Sequence, residues 1–180
     1  MEKPVIINKV KEEWGSLGNM SKHPITMHCV DYPRAEHLFQ ALRLSCDKLR
    51  EEIRSISNPM AAKMRAKKLM KENPDKLIVE PQSQSDILNM ELVLRLKVTQ
   101  HQDVRELLIA TQDRTIVEDA TRRQRGSGLF WGAALQEDGS WKGDNWLGKL
   151  WMRVRDSINI EASWKEAFWD PITQTYIELD

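Results

Sequence analysis

Residues 32–44 read YPRAEHLFQALRL, and the way this stretch coils decides what the chain is. Wound as a helix, it sets Glu36, Gln40 and Arg43 at i, i+4 and i+7, on one stripe. Phe39, Leu42, Cys46, Leu49 and Ile53 recur at helical spacing beside that stripe. The spacing therefore predicts a single helix from the Tyr32–Pro33 step to about "SISNP" at 55–59. An acid, an amide and a base then follow the edge of a buried face. Such a row is either a solvent edge, where Glu36 supports the helix N-terminus by its charge, or the wall of a cleft. In a cleft, a partly desolvated carboxylate serves as general acid or base. Arg43 would then hold an anionic group in a forked contact.

Downstream, Asn58 can cap a second helix with Pro59 in its first turn, ending near Glu72 because Pro74 disfavours helix at Asn73. It carries Lys63, Lys67 and Lys71 one turn apart. A charged row is ordinarily a solvated face. The alternative needs one amine that crowding by like charges has made easier to deprotonate, and hence nucleophilic. Lys63, which follows the small residues of "NPMAA", is the candidate. "VEPQSQSD" reads as a linker ending in cap residues. A third helix is expected over 86–98 with Ile87, Met90 and Leu94 inward, and a fourth from Asp103 with Val104, Leu107, Leu108 and Thr111 on one face. "DRTIVEDA" at 113–120 suggests a short fifth helix or an extended turn. Upstream, 5–9 ("VIINK") and 25–30 ("ITMHCV") are short and β-prone, separated by loop chemistry.

From Arg122 to Gly148 the character changes, with six of the eight glycines and three of the seven tryptophans. Glycines admit a ligand close to the backbone, and Trp131 and Trp141 offer flat stacking surfaces. A loop pinned to the core by its tryptophans accounts for the same residues equally well. Asn145 can cap a last helix with Leu147, Leu150, Trp151, Val154 and Ile158 on its apolar stripe, and free N–H groups at that start favour an anion. The spacing is neither a Walker motif nor a dinucleotide fingerprint.

The 180 residues suit a domain of about 1–160 followed by an aromatic extension, 161–180, packed on the domain or on a neighbouring subunit. Helices dominate, giving a mainly α fold, α+β with minor peripheral strands. Lys+Arg and Asp+Glu balance at 27 each, so charge gives no general attraction to nucleic acid or membrane. Cys29 and Cys46 make no disulfide framework, the histidines have no metal-ligand spacing, and no apolar run approaches a membrane span. The expectation is a cytoplasmic protein without metal or cofactor.

The segments "LGNMSKHP", "YPRAEHLFQALRL", "REEIRSISNPMAAKM", "LRLKVTQHQDVRELLIAT", "FWGAAL" and "GDNWLGKLWMRVRD", in this order over 17–158, resemble the NADAR superfamily of YbiA-like proteins. The resemblance implies a compact, mainly helical domain that cleaves N-glycosidic bonds. Its substrate would be ADP-ribosyl-guanine, in nucleic acid or free, or an aminated ribosyl-pyrimidine of the riboflavin pathway. It implies catalytic roles for Glu36, which matches the motif glutamate, and for Lys63, as the lysine that forms a Schiff base with the opened ribose. Asn19, Gln40, Arg43, Trp131, Gly132 and Asn145 would position the substrate. Two rival expectations stand beside the enzyme: an ADP-ribose-binding module that has lost turnover, and a homo-oligomeric interaction protein using Trp164, Phe168 and Trp169. The first draws on a departure from the family pattern, since relatives place an acid shortly before "W-G" and "RGSGLFWG" has none. Others are Gly18 for serine and Met20 for phenylalanine in the "S-N-F" turn, Arg43 for lysine, and the loss near Gln82 of a tryptophan.

Overall fold

The computed structural model describes residues 3–159, 167–170 and 175–178. In chain order it begins with strands β1 (Val5–Ile7), β2 (Ile25–Met27) and β3 (Val30–Tyr32), followed by helices α1 (Ala35–Ala41), α2 (Asp47–Arg54), α3 (Pro59–Glu72), α4 (Gln84–Gln100) and α5 (Gln102–Ala110). Then come β4 (Ile116–Glu118), α6 (Ser127–Trp131), β5 (Ala134–Leu135), β6 (Trp141–Lys142), α7 (Trp146–Asn159), β7 (Ala167–Asp170) and β8 (Thr175–Glu178). The fold is mainly helical with short strand pairs, an α+β arrangement. The chain divides into two units, Met1–Gly18 with His101–Ala162, and Asn19–Gln100 with Ser163–Asp180.

In the second unit, the stretch expected as one strand and a continuous helix is more segmented. β2 and β3 form an antiparallel hairpin, Ile25 opposite Tyr32, turned by His28 and Cys29, both at positive φ (50° and 60°). Two successive left-handed residues are what a two-residue turn matching strand twist requires. The expected long helix breaks after Ala41. The Arg43 carbonyl accepts from Ile78 N–H, Ser45 N–H donates to Lys76, and Leu44 bridges Leu77. These long-range backbone bonds outweigh the local helical pattern, and α2 restarts at Asp47. α3 has the predicted bounds, with the Asn58 side chain accepting from the N–H groups of Met60 and Ala61. Leu44, Ile53, Ala62, Ala66 and Leu69 form one apolar cluster, the small alanines letting α3 pack closely.

α4 begins two residues earlier than its pattern suggested. Ser83 Oγ accepts from Asp86 N–H while the Asp86 carboxylate reaches back to Gln82 N–H, 2.7 Å, a variant of the reciprocal capping box. The helix is buried nearly all round from Leu92 to Val98, which fits a central element rather than an amphipathic surface one.

In the first unit, "TIVED" is a strand, not a helix or turn: β4 runs parallel to β1, Val5 opposite Ile116. Ile116 and Val117 are β-branched and both buried, a pattern that pairs readily with "VII". On α7, Leu147, Leu150, Trp151 and Val154 are buried as predicted, and the Trp151 indole N–H donates to the Leu17 carbonyl at 2.9 Å. In the second unit, β7 and β8 pair antiparallel, Trp169 opposite Tyr176. The expected packing of the aromatic extension involves side chains, including that of Trp164, outside the described residues.

Candidate active site

Glu36 sits in the first turn of α1, where its N–H donates to the Asn19 carbonyl at 3.1 Å. Its side chain is only 4% exposed. A carboxylate removed from water needs partners, and two reach one oxygen. Gln40 Nε2 donates to Glu36 Oε1 at 2.9 Å, and Lys63 Nζ lies 3.5 Å from the same atom. Of the lysine row on α3, Lys67 and Lys71 are exposed while Lys63 is half-buried against this carboxylate. The row is thus a solvated face with one member drawn inward.

Gln40 is itself held from behind. Its Oε1 accepts from Arg43 Nη1 at 2.8 Å. The guanidinium lies over the Phe39 ring, 4.4 Å from its centroid. Arg43 also makes a two-toothed contact with Asp86, Nε to Oδ1 at 2.8 Å and Nη2 to Oδ2 at 2.7 Å. Arg43 was expected to offer its fork to a substrate anion; the anion it grips in this structure is Asp86. The result is a continuous row, Asp86, Arg43, Gln40 and Glu36 buried, with half-buried Lys63 at its end.

Asn19, just before α1 in space, donates through Nδ2 to the Met90 sulfur at 3.2 Å, a weak acceptor. Its Oδ1 is buried and has no hydrogen-bond partner. A second buried amide on α4, Asn89, has an unpartnered Nδ2. His37, beside Glu36 in sequence, faces elsewhere: Nε2 meets the Ile56 carbonyl at 2.7 Å, and burial lowers the ring's pKa.

Trp131, Gly132 and Asn145 belong to the first unit. Trp131 closes α6, half-buried, its ring edge-on to Phe130 at 5.0 Å. Gly132 is a packing glycine, since a Cβ there would lie 2.4 Å from the Glu118 carbonyl oxygen. Asn145, at φ 52°, accepts from Glu118 N–H at 3.0 Å and donates to the Ile116 carbonyl at 2.8 Å. Its amide, expected on a ligand, is engaged in fastening β4 to the start of α7. Of the acids flanking Trp131 in sequence, Glu118 pairs with Arg123 at 3.0 Å, and Asp138 and Asp144 are exposed.

The buried polar residues of α4, Asp86, Asn89, Arg95 and Lys97, were missed by the sequence argument. Lys97 is fully buried, donating to Ser21 Oγ at 2.8 Å; it continues the Ile87, Met90, Leu94 stripe by three residues, a signal that was available. Asp86 looked like an ordinary cap, and its partner 43 positions earlier left no local trace. Among the described residues, no cluster of His, Cys, Asp and Glu can hold a metal ion, and no helix is long and apolar enough to cross a membrane.

A model of the NADAR domain matches residues 7–159. The chain is 35% identical over 162 residues to the N-glycosidase YbiA of Escherichia coli strain K12, covering 87% of this chain and 90% of that protein. It is 33% identical over 158 residues to the N-glycosidase YbiA of Shigella flexneri serotype 5b, with the same coverage. The NMR structure of the E. coli protein YbiA aligns with a TM-score of 0.69 at 31% identity, over 89% of each chain.

Proposed function

Because this chain belongs to the NADAR domain family, we propose that it is an N-glycosidase cleaving the C–N bond of a ribosyl or ADP-ribosyl compound. The observation that carries this reading is the buried Glu36 carboxylate, with one oxygen facing both the Gln40 amide and the Lys63 ammonium. Breaking a ribose C–N bond builds positive charge on the sugar, which a fixed carboxylate stabilises without reorganising. Glu36 fills that role and exchanges a proton with the departing nitrogen or the incoming water. Lys63 is the nucleophile of the covalent route. The C1–O4 bond breaks as the glycosidic N–H proton passes to O4, leaving C1=N to the base. Lys63 gives its proton to Glu36, its amine adds to C1, and the C1–N bond to the base breaks as the base takes a proton. Water then adds to the C1=N bond of the Schiff base, releasing the sugar aldehyde and restoring the amine. Asn19 supplies a buried acceptor for a sugar hydroxyl.

The test is release of free base from DNA carrying ADP-ribosylated guanine and from the aminated ribosyl-pyrimidine phosphate of the riboflavin pathway. Turnover on either, abolished in Glu36→Gln, supports the reading. No release above the Glu36→Gln control on both rejects it.

One observation favours a binding module instead. Among the described residues, Glu118 is paired with Arg123 and Asp138 and Asp144 are exposed, so none of these three acids stands in for the missing one before Trp131. That protein would bind ADP-ribose in a calorimeter and release no product.

A further inference from the structure

We propose that Asp86, acting through Arg43, is a positioning residue that fixes which end of the Gln40 amide faces Glu36. The inference rests on the reading of Glu36 as the reacting carboxylate, and follows from the direction of the hydrogen bonds. An arginine has five N–H donors and no acceptor, so the end of Gln40 that meets Arg43 Nη1 is its oxygen. The nitrogen must therefore face Glu36 Oε1, and donates to it at 2.9 Å. Turned over, the same amide would set two oxygens against each other.

What holds the guanidinium in that pose is Asp86. It occupies Nε and Nη2 with both of its oxygens, leaving Nη1 for Gln40. The carboxylate is fully buried and cannot swing away, since its Oδ2 also accepts from Gln82 N–H at the start of α4. Phe39 supports one face of the guanidinium plane. A lysine at position 43 would present a point charge rather than a fork, and could not serve both partners with fixed geometry. The pairing of arginine at 43 with aspartate at 86 therefore transmits the pose of α4's first turn, two residues along the row, to the reacting oxygen.

Removing Asp86 alone leaves a buried guanidinium without its counter-ion and risks the fold. The test removes both charges together, as Arg43→Gln with Asp86→Asn, which retains an acceptor for Gln82 N–H. This pair is introduced into the wild-type chain and into Gln40→Met, and each protein is checked by circular dichroism and thermal unfolding. The pair should lower kcat about tenfold in the wild-type background, the loss of one oriented hydrogen bond to a charged group, with KM unchanged. In the Gln40→Met background it should lower kcat by less than about twofold, since the residue it acts through is already absent. Equal losses in both backgrounds would overturn the proposal, because a general packing role does not depend on Gln40.

A readout free of turnover separates this inference from the glycosidase reading. The Gln40 side-chain amide protons should be protected from solvent exchange in the wild type and lose that protection in the Arg43→Gln, Asp86→Asn protein. Unchanged protection would overturn the proposal even in an active enzyme. Should neither the ADP-ribosyl-guanine DNA nor the ribosyl-pyrimidine be cleaved, the glycosidase reading fails, and the amide protection alone decides whether Asp86 orients Gln40.

Discussion

Lys63 Nζ lies 3.5 Å from Glu36 Oε1, although the two residues are 27 positions apart and on different helices. The alanines at 62 and 66 on α3 are both fully buried, and α3 packs against α1. The ion pair brings the amine beside the carboxylate rather than out into solvent.

If that amine is the nucleophile, charge alone does not replace it. Lys63→Arg keeps the positive charge beside Glu36 but has no deprotonated nitrogen to add to C1. Turnover in Lys63→Arg and Lys63→Ala should fall by at least about a hundredfold. Borohydride added to wild-type protein with ADP-ribose should leave a mass adduct on the peptide carrying Lys63. Wild-type rates in Lys63→Arg would remove the covalent role and leave only electrostatic support for Glu36.

Asn19 offers a buried oxygen with nothing to accept from. Such an orphan is unfavourable in the free protein and would be satisfied by a ligand hydroxyl on the proposed reading. Asn19→Ala should therefore weaken ADP-ribose binding by about ten- to a hundredfold, read by calorimetry. The thermal midpoint should hardly fall, because the Asn19 carbonyl that receives Glu36 N–H is backbone and survives the substitution. Undiminished affinity would assign the amide to packing against Met90.

Much of this arrangement is legible in the sequence, and the features that are not share a physical cause. Glu36, Gln40 and Arg43 do form one row, because i, i+4 and i+7 spacing on a helical turn brings side chains together whether or not the last residue is still helical. The break after Ala41 left no mark in the pattern, being imposed by backbone bonds from residues 76 and 78. The β4 strand was misjudged for the same reason, since its partner lies more than a hundred residues earlier. Asn58 as cap, Pro74 as stop and the α7 stripe were read correctly because each depends only on near neighbours. Asp86 could be recognised as a cap but not as the partner of Arg43. Local chemistry was visible, and long-range pairing was not.

Asn145 illustrates the difference between a residue at a motif position and one that touches a ligand. Both ends of its amide serve β4, and its left-handed backbone suits asparagine better than alanine. Asn145→Ala should cost about 2–4 kcal/mol, the sum of two partly buried hydrogen bonds and the backbone strain. Urea unfolding measures it. A change below about 0.5 kcal/mol, the range of an ordinary surface substitution, would show that the amide does not fasten β4.

His37 sets a pH dependence that is separable from the catalytic chemistry. A carbonyl only accepts, so Nε2 carries the proton given to Ile56, and Nδ1 is a buried acceptor without a donor. Burial, the dominant influence, holds the ring's pKa below the ordinary 6.5, against the raising effect of the Ile56 carbonyl. The folded protein therefore binds this proton less readily than the unfolded chain. Above pH 6.5 neither state is protonated there and the ring costs nothing; as pH falls below 6.5 the unfolded chain takes up the proton and stability drops, until the folded ring also protonates. The slope contributed in that window is at most about 1.4 kcal/mol per pH unit. His37→Gln keeps an N–H for Ile56 and does not titrate. Its stability should consequently decline less steeply than the wild type's between pH 7 and about pH 5 in urea unfolding. Parallel curves for the two proteins would mean that the imidazole is equally easy to protonate folded and unfolded.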